Sequence, residues 1–227
     1  MAETQMDELG RFSLGPKSAG LYYGDAIELM GELPNESIDS IFTDPPWSDD
    51  ALPLFRYMAR EAGRVLKPGG LLMTFTGKAS LDTVTYCLSS YLNYHWMAIG
   101  WQPQSNMMFM PRRFMEKYRP ALIYSKGKAN THPFVSDARP TKRDKRYHEW
   151  GQGKEFWTYY INLLGGEIIL DPFCGGGTTA VVCKELGKQW LTFENMRSTY
   201  IAAEGRIRTA KVPLFTDVDA PEQQELI

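Results

Sequence analysis

The stretch that most narrows the possible folds is "EIILDPFCGGGTTAVVCKELGKQWLTFEN", residues 167 to 195. An apolar run ends in an acid. Three consecutive glycines follow, then a helical pattern with a glycine stop, then a second apolar run that ends in another acid. Strand, glycine loop, helix and strand in under thirty residues form a βαβ unit, which requires a parallel pair and a right-handed crossover. The glycines stand at the carboxyl end of a strand, where backbone can approach a ligand closely. A dinucleotide fingerprint would need G-x-G-x-x-G, but Ala180 stands where the third glycine should be. The string G-x-x-x-x-G-K-[ST] of a phosphate loop does not occur. A purely structural turn is the remaining alternative. Glu194 lies about twenty residues downstream of the loop, where an acid commonly accepts from ribose hydroxyls.

The same alternation runs through the rest of the chain. "LYYGDAIELMGELPNESIDSIFTD" reads as strand, helix, turn and strand. Residues 51–66 place apolar side chains at helical spacing, and "KPGG" is expected to stop that helix. "LLMTFTG" is an apolar strand, "SLDTVTYCLSSYL" a helix, "HWMAIGW" and "PALIYSK" strands. Residues 103–118 read as irregular. "KEFWTYYINLL" is a helix leading into the glycine unit, and "STYIAAEGRIRTA" a helix after it. The expected fold is α/β, a doubly wound, mostly parallel sheet with helices on both faces. Residues 21–210 are read as one domain, 1–20 as a flexible segment and 211–227 as a solvated tail.

At 227 residues the chain can bury one full core. No apolar run reaches the roughly 18 residues of a membrane span. The N-terminus has no signal-like apolar region. Cys87, Cys174 and Cys183 are odd in number and scattered, so neither a disulfide framework nor a metal site is expected. A reducing cytoplasm is the expected setting. Net charge is only −2, yet residues 112–154 hold twelve Lys/Arg against four Asp/Glu. Phe114, Tyr118, Phe134, Tyr147 and Trp150 are interleaved with them. A charge run alone is usually a solvated loop. With aromatics it suits phosphate contacts and base stacking.

A second informative string is "TDPPWSDD", residues 43–50. Proline fixes φ, removes a donor and pushes the preceding residue towards extended geometry. Asp44-Pro45-Pro46-Trp47 should therefore be a stiff loop projecting from the end of a strand. Taken together, Asp44-Pro45-Pro46-Trp47 followed far downstream by Phe173-Cys174-Gly175-Gly176-Gly177 resembles the β-class S-adenosylmethionine-dependent DNA amino-methyltransferases, in their permuted motif order. The similarity extends through "YYGDAIELMGELPNESIDSIFTDPPW", "RPALIYSKG" and "GQGKEFWTYYINLLGGEIILDPF", or roughly residues 21–210. Three features depart from the usual pattern. Trp47 replaces the more frequent tyrosine, Glu155 replaces the proline that commonly follows the lysine, and the target-recognition stretch, about 103–150, is short.

The resemblance implies S-adenosylmethionine as cofactor and DNA as partner, as in restriction–modification systems, with N6 of adenine preferred. That preference rests on aspartate rather than serine before the prolines. N4-cytosine methylation, RNA amino-methylation and a catalytically silent nucleic-acid binder are the alternatives. It implies Asp44, Pro45, Pro46 and Trp47 as the catalytic set, with Trp47 stacking on a flipped base. Trp47 as a plain core aromatic is the competing reading. Cofactor contacts are implied for Asp25, Ala26, Asp44, Gln152, Lys154, Asp171, Phe173, Cys174, Gly175, Gly177, Thr178, Glu194 and Asn195. Asp171 is expected near the methionine end, and Asp25 at the adenine amine. A helix-capping role for Asp25 is compatible with this. Cys174 is expected to be a small loop residue, not a nucleophile. Arg112, Arg113, Lys142, Arg143, Lys145 and Arg146 are the expected phosphate contacts. Dimers occur among similar enzymes, and the sequence leaves the oligomeric state open.

Overall fold

The computed structural model describes residues 19–141 and 153–211. Lys142, Arg143, Lys145, Arg146, Gln152 and nearly all of both terminal segments lie outside the described residues. The chain forms β1 (Gly20–Tyr23), α1 (Ala26–Glu32), β2 (Ile38–Thr43), α2 (Leu52–Val65), β3 (Leu66–Phe75), α3 (Leu81–Ser89), β4 (Asn93–Trp101), β5 (Met107–Phe109) and β6 (Phe114–Glu116). It continues with β7 (Tyr118–Ser125), β8 (Ala138–Pro140), α4 (Lys154–Leu164), β9 (Ile168–Asp171), α5 (Thr178–Glu185), β10 (Gln189–Glu194) and α6 (Arg197–Thr209).

Among the described residues, eight strands make one sheet in the order β1-β10-β9-β2-β3-β7-β4-β8. The pairs from β1 to β3 are parallel. The pairs β3–β7 and β7–β4 are antiparallel. The expected doubly wound sheet is therefore present, with a mixed half joined to it at β3, where β7 runs antiparallel to both neighbours and β8 pairs in parallel with β4. Because β1, β10, β9 and β2 are parallel neighbours, their carboxyl ends open on one edge, where open α/β sheets bind ligands.

Alternation along the strands separates two cores. Leu72 and Tyr124 belong to a cluster that includes Phe55, Met58, Val65 and Val84 of α2 and α3. Met73, Phe75 and Ile123 belong to the other, with Phe156, Trp157 and Tyr160 of α4 and Val182 of α5. Burying each such large side chain contributes about 1.5–3 kcal/mol. In α2 the buried residues Phe55, Met58, Ala59, Ala62 and Val65 fall on one helical face. Arg64 at its end donates to the carbonyls of Met30 and Leu33, both at 2.6 Å, satisfying orphan acceptors at the end of α1. No helix among the described residues is long and apolar enough to cross a membrane.

Two sequence expectations are corrected. α2 ends at Val65, just before Lys67-Pro68-Gly69-Gly70 as expected, but β3 begins already at Leu66 and not at Leu71. The four residues form an excursion inside β3, where the pairing jumps from Ile38↔Leu66 to Ser40↔Leu71. Residues 103–118 are not wholly irregular, for β5 and β6 pair there as an antiparallel ribbon.

Candidate active site

β2 ends at Thr43, and the chain leaves the sheet through Asp44-Pro45-Pro46-Trp47. Thr43 stays buried and its hydroxyl donates to Asp171 Oδ1 at 2.8 Å, tying the ends of β2 and β9 together. The loop therefore leaves a fixed point. Pro45 is buried, while Asp44 and Trp47 are half-buried at the edge. Trp47 packs against both cores, so it is partly the core aromatic that the competing reading described. Its indole N–H meets no acceptor among the described residues.

One functional group here was not singled out in the sequence. The Arg119 guanidinium lies 4.1 Å over the Trp47 ring and 5.5 Å from the Phe75 ring. Its Nη1 is 3.9 Å from Asp44 Oδ2. Arg119 is only 8% exposed, an unusual degree of burial for a cation. The antiparallel direction of β7 brings it there, since the start of β7 lies beside the end of β3. The Thr76 amide donates to the Pro120 carbonyl at that junction.

The glycine corner is built from the ends of β9 and β10. Gly175 and Gly177 have φ of +50° and +74°, which side-chain-bearing residues rarely adopt. A Cβ at Gly177 would sit 3.1 Å from Ile207 of α6, so this glycine permits close helix packing. A Cβ at Gly175 would find no protein atom nearer than 4.0 Å and would project into open space. Glu194 accepts from the Gly175 amide at 3.0 Å and the Met196 amide at 2.8 Å. Its carbonyl accepts from the Gly24 amide at 3.1 Å, which adds the end of β1 to the same corner. Arg206 of α6 clamps the loop from behind, donating to the Gly176 carbonyl and the Thr178 hydroxyl at 2.6 and 2.9 Å.

Asp25 caps α1, its Oδ1 accepting from the Ile27 and Glu28 amides at 2.9 and 3.2 Å. Asp171 is fully sequestered and also accepts from the Phe173 amide. Burial pushes its carboxyl up to about 7, and the Asp44 charge adds to the rise, against the hydrogen bonds from Thr179, Thr43 and Phe173. Burial likewise pushes the Cys174 thiol upward, away from thiolate character.

Asp25, Ala26, Asp44, Asp171, Phe173, Cys174, Gly175, Gly177, Thr178, Glu194 and Asn195 thus stand at or just beyond the carboxyl ends of four adjacent strands or in the turns that follow them. Asn195 is exposed there, beside Glu194. Lys154 is different, because its ammonium is held by both carboxylate oxygens of Glu185 at 2.7 Å, in the last turn of α5. Arg112 and Arg113 sit on the turn of the β5–β6 ribbon.

Residues 159–204 match a family model described as DNA methylase. The type II methyltransferase M.BamHI of Bacillus amyloliquefaciens is 25% identical over 232 residues, covering 77% of this chain and 54% of the relative. M.HinfI of Haemophilus influenzae is 25% identical over 243 residues, covering 83% and 68%. The chain is thus similar to type II DNA methyltransferases. It spans about half the length of M.BamHI. Two solved structures show the same fold. The cytosine-N4-specific PvuII DNA methyltransferase superposes with a TM-score of 0.73 at 16% identity, covering 82% of this chain and 85% of that one. M1.HpyAVI in complex with SAM gives 0.67 at 22%, covering 82% and 98%. The family-model match takes in the glycine corner and Glu194 but not Asp44. The Asp44 corner rests on the motif and on its place beside β9.

Proposed function

We propose that the chain methylates the exocyclic amine of a base in DNA, using S-adenosylmethionine, with N6 of adenine as the preferred target. The observation that carries this reading is that Asp44-Pro45-Pro46-Trp47 and the glycine corner leave adjacent parallel strands at one sheet edge, fastened by Thr43 and Asp171. Such an arrangement brings a rigid acceptor set within reach of a nucleotide-sized ligand. The glycine corner fits the cofactor. The space in front of Gly175 would be filled by any side chain, and Glu194, which accepts from the Gly175 amide, places an acid at that corner.

When bound, the cofactor supplies a methyl group on a sulfonium that leaves as a neutral thioether. The chain must supply a competent amine. A base amine is a weak nucleophile because its lone pair is delocalised into the ring. The Asp44 carboxylate and the Pro45 carbonyl would accept its two N–H bonds and favour a pyramidal nitrogen. Asp44 would also pass the surplus proton to solvent. Rigid placement is the main contribution, since the two prolines leave the acceptors little freedom. Trp47 offers a plane for the base, with Arg119 holding one side of the indole. The basic segment supplies phosphate contacts, through Arg112 and Arg113 on the ribbon and through Lys142, Arg143, Lys145 and Arg146.

Incubation with DNA and labelled S-adenosylmethionine, followed by nucleoside analysis, tests the reading. N6-methyladenine is the expected product. N4-methylcytosine would move the target to cytosine. Label found only in RNA, or in no nucleic acid, would overturn the proposal.

A further inference from the structure

The ribbon of β5 and β6 carries an interaction surface of its own. Its register pairs Met108 with Met115 and Phe109 with Phe114 across the two strands. The turn is Met110-Pro111-Arg112, closed by Arg113 at φ +57°. Met108, Met110, Phe114 and Met115 are 64, 68, 70 and 57% exposed, so the ribbon turns its large apolar side chains outward. An isolated two-stranded ribbon is marginal in water. This one is pinned at its base and at its turn by polar contacts. Lys117 donates to the carbonyls of Pro103 and Ser105, Glu116 pairs with Lys78 at 3.3 Å, and Arg112 donates to the Ala79 carbonyl at 3.0 Å. The methionines and Phe114 are thus left for something outside the fold.

The ribbon's position and charge limit what that partner can be. β6 passes through Lys117 straight into β7, whose second residue, Arg119, lies over Trp47. The ribbon is therefore rooted at the catalytic corner. Its tip combines two exposed guanidiniums with apolar side chains. That pairing suits a partner with an anionic exterior and an apolar stacked interior, which is duplex DNA. Building on the function proposed above, we propose that the β5–β6 ribbon is a wedge. Phe114 and Met110 enter the base stack next to the target, and Arg113 holds a flanking phosphate. Methionine suits this work because its unbranched, polarizable chain fills irregular gaps. The wedge would offset the unstacking that extrusion of a base requires.

The test uses the full chain carrying Met110→Ser and Phe114→Ser together, on duplexes containing the methylated site mapped from genomic DNA. One duplex is intact, and the other has an abasic position opposite the target, so that the target is already unpaired. On the intact duplex the variant is expected to lose at least about tenfold in methyl transfer. On the abasic duplex it should approach the wild-type rate. Equal loss on both duplexes, or no loss on the intact one, would overturn the wedge. A second arm places 2-aminopurine at the target position and follows its emission on binding. Wild type should raise the emission and the variant should not. This arm reads extrusion and not methyl transfer, so a wild-type signal from the variant overturns the wedge alone, whereas a wild type that leaves genomic DNA unmodified overturns the function. Equal 2-aminopurine signals, or a double variant that differs only by dissociating from a dimer in sedimentation, would assign the ribbon to contact between copies and overturn the proposal.

Discussion

Arg119 lies face-on to Trp47 at 4.1 Å, with Asp44 3.9 Å from its guanidinium. A buried cation thus braces both the aromatic plane and the carboxylate of the Asp44-Pro45-Pro46-Trp47 loop. A desolvated cation–π contact is worth about 2 kcal/mol. Arg119→Met is expected to reduce methyl transfer by roughly thirtyfold, mainly in kcat, because it loosens groups that act on the target amine. Arg119→Lys should recover only part of this, since an ammonium keeps the charge and loses the planar stack. Separate kcat and KM values, with denaturation curves for both variants, check the expectation. A loss confined to stability would assign Arg119 to the core alone.

Asp44→Ala should abolish methyl transfer while leaving the fold and most of the cofactor affinity in place. Its carboxylate caps no helix, and its pairing with Arg119 is long at 3.9 Å, so the target amine is the group proposed to depend on it most. Retention of more than about a tenth of wild-type activity, a loss under ~1.4 kcal/mol, would exclude the assigned role.

The two strained glycines should separate ligand binding from packing. Gly175→Val places a branched side chain in the open space proposed for the cofactor, so calorimetry should show binding lost. Gly177→Val drives a side chain against Ile207 and Ala203, so thermal unfolding should show the larger loss of stability. Equal effects of the two substitutions in both measurements would remove the distinction.

Glu194→Ala removes the carboxylate that accepts from the Gly175 and Met196 amides. Hydrogen bonds to a charged group contribute about 1.5–3 kcal/mol. Cofactor affinity should fall by an amount in that range, with a parallel drop in melting temperature as the loop loses its tie to β10. Unchanged affinity would place the ligand elsewhere.

Asp171 sets a pH dependence. Its folded carboxyl, near 7, holds a proton more tightly than the unfolded chain does, near 3.8. Folding therefore takes up a proton between those values, and stability falls as pH rises from about 4 to 7. Asp171→Asn keeps an acceptor for Thr43 and Phe173 and removes the titration. The variant should show a flatter stability profile across that range and greater stability at pH 8. Urea midpoints at several pH values decide it, and parallel profiles for the two proteins would refute the assignment.

The two corners of the site were legible in the sequence because each is a local device. Proline stiffness at Pro45 and Pro46 and the glycine run before Thr178 need no knowledge of distant chain. Arg119 was hidden for the opposite reason. In "YRPALIYS" it resembles one more member of a basic stretch, and only the antiparallel entry of β7 lays it across Trp47. Glu194 was read as a ribose acceptor from its spacing. That one of its oxygens accepts from the loop amide of Gly175 and the other from Met196 at the start of α6 depends on how β9 and β10 end. "KPGG" carries ordinary stop residues, and a register jump against β2 leaves no mark in local composition. The ribbon lacked the Asn-Gly signal of a tight hairpin, and its strands are only three residues long.

The pairing of Gly20–Tyr23 with Leu191–Glu194 has a consequence for how the protein is made. The first described strand lies against the last strand of the sheet, so it must wait for nearly the whole described chain before it finds its partner. The Asp44 corner is synthesised early, yet β9 and β10, which stand between β2 and β1, are synthesised late. Such long-range closure slows folding and leaves sheet edges exposed in the interval. A nascent chain therefore carries the Asp44 loop well before the glycine corner, and the two come together only once β9 and β10 have been made.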